Sequence, residues 1–183
     1  MAQPEPSSAA QLPRLVVAGL AGDTGKSLVA LGLVRALKAR GFKVAPFKKG
    51  PDFIDAAWLG AAAGPKGRNL DTFLMSPSAL TQSLVRASAS ADLAVVEGNR
   101  GLFDGLDAKG THSTAALAKL TGTPVVLVVD ATKTTRTVAA LVLGCRKLDP
   151  EVNLAGVILN RVGTARQEKV IREIGRASCR ERV

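Results

Sequence analysis

Short apolar runs alternate with longer amphipathic stretches along almost the whole chain. Leu15–Ala18, Lys43–Phe47, Leu93–Val96, Val125–Val129 and Leu154–Leu159 are brief, aliphatic and rich in β-branched residues, the mark of buried strands. Between them, Lys26–Arg40, Pro77–Ala89, Ser113–Leu120, Thr134–Lys147 and Thr164–Glu173 carry helical periodicity. Strands alternating with helices of this length predict right-handed crossovers. The fold class expected is α/β, a doubly wound, mostly parallel sheet with helices on both faces. In such sheets ligands bind beyond the carboxyl ends of the strands. The polar blocks fall there: Gly22–Ser27, Lys48–Asp55, Glu97–Asp104, Asp130–Lys133 and Asn160–Arg161. The strand-poor insert from Gly50 to Ser76 is expected to fold over that edge.

The stretch LVVAGLAGDTGKS, Leu15 to Ser27, sharpens the picture. An apolar strand ends in a glycine-rich turn, and Gly25-Lys26-Ser27 opens a helix. That order builds a phosphate cradle from inward-turned N–H groups, a helix N-terminus and one lysine. Gly22, Thr24, Gly25, Lys26 and Ser27 are the expected nucleotide-binding residues, with the Ser27 hydroxyl placed to ligate magnesium. ATP and Mg2+ are therefore the expected cofactors. The usual pattern is G-x-x-x-x-G-K-[ST]; here its first glycine position holds Leu20, and Gly19 stands one residue earlier.

Composition narrows the alternatives. The 183 residues suit one domain, and 46% are hydrophobic while only 3% are aromatic, so Ala, Val and Leu must fill the core. No apolar run is long enough to span a bilayer, and residues 1–13 read as a flexible lead-in without a signal core. Cys145 and Cys179 offer no disulfide framework, which makes a reducing cytoplasm the default. The formal charge of +10 is scattered, without the aromatic–basic alternation that stacks bases. It suits a polyanionic small molecule rather than nucleic acid, and no membrane partner is expected.

Magnesium needs further oxygen ligands, normally one or two carboxylates. Glu97 closes the run DLAVVEG, and Asp52 follows the second strand in PFKKGPDFID; both are expected to hold the metal. Lys48 and Lys49 end that strand, where they can meet substrate carboxylates or remain a solvated pair. Asp71 and Asp104 lie in loops on the same side, where an aspartate more often caps a turn. His112 is read as a capping-turn residue, Trp58 and Phe53 as packing residues of the insert, and Cys145 as a small core residue. A single histidine and no serine elbow leave no Ser-His-Asp triad.

Taken together, the motifs AGLAGDTGKS, PFKKGPDFID, GRNLDTFLM, DLAVVEGNRGLFDG, PVVLVVDATKTTRTVAALVLG and LAGVILNRVG resemble the N-terminal domain of cobyrinic acid a,c-diamide synthases. The resemblance runs from Leu15 to about Glu173 and implies a dethiobiotin-synthetase-like fold. It implies that ATP and magnesium phosphorylate two ring carboxylates of a corrin-type tetrapyrrole, a and c, in turn. Ammonia then displaces phosphate from each. On this likeness Lys26, Lys48 and Asp104 become catalytic, and Ser27, Asp52 and Glu97 hold metal. Asn160 joins the nucleotide site at the adenine edge, and Lys49, Asp71 and Asn99 face the substrate. The partners implied are a tetrapyrrole polycarboxylate and ammonia from a glutaminase domain that this chain lacks. A homodimer is also allowed for.

Several departures stand out. Asp23 replaces a small residue of the loop. A carboxylate about 6 Å from a phosphate charge costs on the order of 3 kcal/mol at an effective dielectric near 20, so Asp23→Gly is expected to tighten ATP binding unless solvent screens the side chain. The GNR block, Gly98–Arg100, resembles a subgroup that amidates nickel-sirohydrochlorin, which leaves the ring open. A ParA/MinD-like ATPase switch is the rival class, but Ala21 occupies the place of its signature lysine. Residues 174–183, IGRASCRERV, break the helical pattern and read like a translated sequencing adapter; they are expected to be a scar beyond a domain spanning 14–173.

Overall fold

The structure, a computed structural model, describes residues 12–180, with side chains through residue 175. Six strands and six helices alternate. The strands are β1 (Arg14–Gly19), β2 (Val44–Lys49), β3 (Arg68–Leu70), β4 (Leu93–Gly101), β5 (Val125–Asp130) and β6 (Leu154–Asn160). The helices are α1 (Lys26–Ala39), α2 (Phe53–Ala63), α3 (Pro77–Ser88), α4 (Thr114–Thr121), α5 (Arg136–Leu148) and α6 (Ala165–Arg180). All pairings are parallel, in the order β3-β2-β4-β1-β5-β6. The strand bearing the phosphate loop is thus central, as a doubly wound sheet requires.

Alternation along the strands assigns the two faces. Val17, Val44, Val95 and Val128 pack with Ala30 and Val34 of α1 and Leu59 and Ala63 of α2. Their neighbours Val16, Ala45, Phe47, Ala94, Val96, Leu127 and Val129 join Leu80 and Leu84 of α3, Leu117 of α4, Val138 of α5 and Ile171 of α6. Each fully buried Val or Leu stabilises the fold by roughly 1.5–3 kcal/mol. No helix among the described residues is long and apolar enough to cross a membrane.

The insert is more structured than the sequence shows: it adds α2 to one face and β3 to the sheet edge. The strand RNL is too short to show alternation, and α2, FIDAAWLGAAA, is apolar on nearly all sides, which hides its period. Phe53 and Trp58 do not pack the insert: they are 76% and 62% exposed, because α2 buries Ala56, Leu59, Gly60 and Ala63 instead. Cys145 packs against the larger core as a partly buried residue, and burial raises its thiol pKa. Helix α6 does not end near Glu173 but runs to Arg180, through a stretch without proline. The expected lead-in lies outside the described residues apart from Leu12 and Pro13, as does the Cys179 side chain.

Candidate functional site

The loop after β1 is shaped by close backbone approaches. A methyl group on Gly19 would fall 2.7 Å from both the Ala21 carbonyl and the Thr24 hydroxyl, so glycine is needed there and not at position 20. Gly25 caps α1 at φ 85°, a left-handed conformation that favours glycine. Lys26 is buried at the first position of α1, and its ammonium makes no hydrogen bond or ion pair among the described residues. Asp23 is exposed, with φ 52°. Water around that carboxylate removes most of the penalty expected from it.

Register then assembles a charged cluster beneath the loop. Lys48 of β2 stands opposite Glu97 of β4, and by alternation both face α1 and α2. Ser27, in the first turn of α1, donates to Glu97 Oε1 at 2.5 Å. Lys48 Nζ donates to Glu97 Oε1 at 3.0 Å, to Asp55 Oδ2 at 2.5 Å and to the Gly98 carbonyl at 3.2 Å. These acceptors use all three N–H donors of the ammonium. Lys48, expected to be catalytic, spends these donors on two carboxylates and one backbone carbonyl of the protein. Burial by itself pulls its pKa down, but the Asp55 hydrogen bond and the Glu97 charge and hydrogen bond leave it raised.

Glu97 is only 1% exposed, and its second oxygen, Oε2, has no hydrogen-bond partner. A buried carboxylate oxygen left unpaired beside a serine hydroxyl fits a cation bound there. Among the described residues no three His, Cys, Asp or Glu side chains group as a metal cage. Asp52, expected to ligate metal, caps α2: its Oδ1 accepts the Ile54 and Asp55 N–H groups at 2.9 and 3.1 Å. The second acid in this cluster is Asp55, missed in the sequence. Its signal was the Asp-x-x-Asp spacing, in which the first aspartate caps the helix and leaves the second, one turn in, free for the sheet.

Lys49 points the opposite way. It is 8% exposed, makes no hydrogen bond or ion pair among the described residues, and has Asp71, Lys48 and Arg100 as charged neighbours. Burial lowers its pKa; Asp71 offsets this in part, and the two cations add to it. Asp71 is itself occupied, its Oδ1 accepting from the Phe73 and Leu74 N–H groups at 2.8 and 3.2 Å. Asn99 sits at the same edge, its amide nitrogen beside Gly50 and its backbone bonded to the Thr114 hydroxyl.

Two other expected residues also serve the scaffold. Asp104 Oδ2 accepts the Gly101 N–H at 2.9 Å, closing the turn after β4, although its carboxylate remains exposed at the edge. Asn160 does not present a free amide edge: its Nδ2 donates to the Thr24 carbonyl at 2.9 Å, and its Oδ1 accepts the Arg161 N–H at 3.0 Å. It clamps the phosphate loop from β6. His112 precedes the true cap, Ser113, at φ 58°, and its Nδ1 lies 3.2 Å from the Thr72 hydroxyl.

A glycine-rich loop between a central parallel strand and a helix, with a serine and an acid beneath it, defines a phosphate-loop nucleotide-binding domain. Its fold is that of the signal-recognition receptor FtsY. The chloroplast protein of Physcomitrella patens aligns at TM-score 0.59 and 20% identity over 92% of this chain and 56% of its own. That of Thermotoga maritima aligns at TM-score 0.55 and 18% identity over 98% and 60%. Residues 15–182 match the CobQ/CobB/MinD/ParA nucleotide binding domain, and the chain belongs to that family. Among curated relatives it is 47% identical to the cobyrinate a,c-diamide synthase of Magnetococcus marinus over 92% of its length. It is 48% identical to the hydrogenobyrinate a,c-diamide synthase of Streptomyces coelicolor over 91%. The chain spans about a third of these relatives, 36% and 34% of their lengths.

Proposed function

We propose that this domain is the ATP-using part of an a,c-diamide synthase that activates ring carboxylates of a corrin-type tetrapyrrole. The observation that carries this reading is the Ser27–Glu97–Lys48–Asp55 cluster, with its unpaired Glu97 oxygen, directly below a phosphate loop. Identity near one half to enzymes named for that reaction supports the substrate class. A substrate carboxylate oxygen attacks the γ-phosphorus of ATP; the new O–P bond forms as the bridging bond to ADP breaks. Ammonia then adds to the acyl carbon, inorganic phosphate leaves, and the nitrogen loses a proton to give the amide.

The chain's contribution is positioning and charge. Gly25 and the first turn of α1 turn N–H groups toward phosphate, while Lys26 neutralises the β- and γ-oxygens. Ser27 and Glu97, with Asp55 held beside them by Lys48, would hold magnesium, which when bound offsets charge on the phosphates. Asn160 fixes the loop, and Asp104 and Asn99 shape the edge where the carboxylate enters.

The test is ADP release by the chain in ammonium buffer with ATP, magnesium, and cobyrinate, hydrogenobyrinate or nickel-sirohydrochlorin. Stimulation by a tetrapyrrole, lost in Glu97→Gln, supports the proposal and names the ring. Stimulation by DNA or anionic vesicles alone would replace it with an ATPase switch.

A further inference from the structure

Large apolar side chains crowd the carboxyl edge of β2 and β3. The turn after β3 exposes Phe73 by 65% and Leu74 by 69%, in a chain with only six aromatic residues. This turn is held by local contacts: Asp71 accepts both backbone N–H groups, and the Phe73 ring meets His112 edge-on, with centroids 5.4 Å apart. His112 is anchored in turn through Thr72. A solvent-facing aromatic ring held in this way, with a leucine beside it, forms a ready surface for an apolar ligand, because little of the ring's side-chain entropy remains to be lost on binding.

Beside this surface lies Lys49, more than nine-tenths buried and without a hydrogen-bond or ion-pair partner among the described residues. A buried ammonium that no protein group satisfies calls for an anion. Arg100, its charged neighbour, adds a second cation, this one exposed, at the end of β4. An apolar surface next to uncompensated positive charge complements a ligand with an apolar body and carboxylates on its rim. On the functional reading above, we propose that Phe73 and Leu74 form a ledge for the face of the tetrapyrrole, while Lys49 holds a carboxylate other than the one being phosphorylated. The ring is thereby set so that one rim carboxylate at a time reaches the phosphate loop. Lys48, fully engaged on the opposite face, does not take part in this contact.

Trp58, the chain's single tryptophan, gives a readout that needs no catalysis, since a bound tetrapyrrole quenches its emission. Cobyrinate or hydrogenobyrinate is titrated without ATP into the wild type, Phe73→Ala/Leu74→Ala, Lys49→Met and Phe53→Ala, with ATP affinity measured alongside. The expected result is at least a tenfold weaker ring affinity in the ledge variant, with ATP affinity unchanged. Lys49→Met should weaken binding to a similar degree and flatten its salt dependence. Phe53, more exposed still but at the start of α2, serves as the control and should change little. Equal loss in Phe53→Ala would indicate general apolar adsorption and overturn the ledge. So would full ring binding in the ledge variant, or a change there only in self-association measured by sedimentation. A wild-type chain that binds ATP but no tetrapyrrole would overturn the functional reading as well.

Discussion

Replacing Lys48 by methionine isolates the electrostatics of the site. The ammonium lies 3.0 Å from Glu97 Oε1 and 2.5 Å from Asp55 Oδ2. At an effective dielectric near 20 those separations correspond to gross attractions of about 5.5 and 6.6 kcal/mol. Most of this is spent offsetting the several kcal/mol that each ion loses when taken out of water, so the intact cluster contributes little net stability. Methionine fills the lysine stem's volume but leaves a carboxylate that is 1% exposed without its cation. Breaking a buried pair in this way costs about 3–5 kcal/mol, or roughly 6–20 °C in Tm for a chain of this size. The pH dependence separates charge from packing. In the wild type the raised Lys48 pKa contributes stability fully below the ordinary lysine value of 10.5, lost only as pH climbs through the higher folded value. Lys48→Met lacks this contribution, so its deficit should be constant through neutral pH and should shrink as pH rises above 10.5 toward the raised folded value. Glu97→Gln added to Lys48→Met should recover part of the loss, a coupling of about 0.5–3 kcal/mol. Thermal and urea unfolding between neutral and alkaline pH would measure all of this. A loss below about 1 kcal/mol, or one independent of pH, would refute the view that Lys48 compensates a buried carboxylate.

Two further predictions concern the phosphate loop. Asp23 is exposed, so Asp23→Gly should change ATP affinity by less than about twofold despite the added repulsion a carboxylate would bring if desolvated; calorimetric titration would check this, and marked tightening would show that the side chain turns inward. The same variant relieves the strain of a side chain at a left-handed φ of 52° and should leave Tm unchanged or slightly higher. In Gly25→Ala the new methyl would fall 2.2 Å from Asn160 Nδ2 at φ 85°, and in Asn160→Ala the hydrogen bond to the Thr24 carbonyl disappears. Each should weaken ATP binding, the first by roughly 1–3 kcal/mol and the second by about 0.5–1.5 kcal/mol. In the double variant the steric part vanishes and the φ strain remains, so the combined loss should be less than additive; strict additivity would show that Asn160 does not lie over Gly25.

The sheet and the phosphate loop were legible because both rest on local signals: aliphatic runs of strand length, helical spacing, and glycines where backbone must approach backbone. The missing strand and helix of the insert were not, since three residues cannot display alternation and an apolar α2 has no polar face to set its period. The site was half legible for a related reason. That acids gather at strand ends follows from the fold class, but which acid keeps an open oxygen depends on what each carboxylate already holds. Asp52, Asp71 and Asp104 look equivalent to Glu97 along the chain, yet each accepts backbone N–H groups that would otherwise be orphaned at a helix start or tight turn. Such caps form from residues two or three apart, so they are satisfied by the local chain itself. Glu97 has no such donor nearby: it stands at the end of a buried strand run, and only register brings it Lys48 from a neighbour 49 residues away and Ser27 from 70. A carboxylate that local backbone has not claimed, and that the sheet has buried, is left with one oxygen for a cation. The same reasoning selects Lys49 over Lys48. Adjacent on one strand, they face opposite sides of the sheet; two acids wait on one side, and on the other the nearby carboxylate is already bound to its own turn.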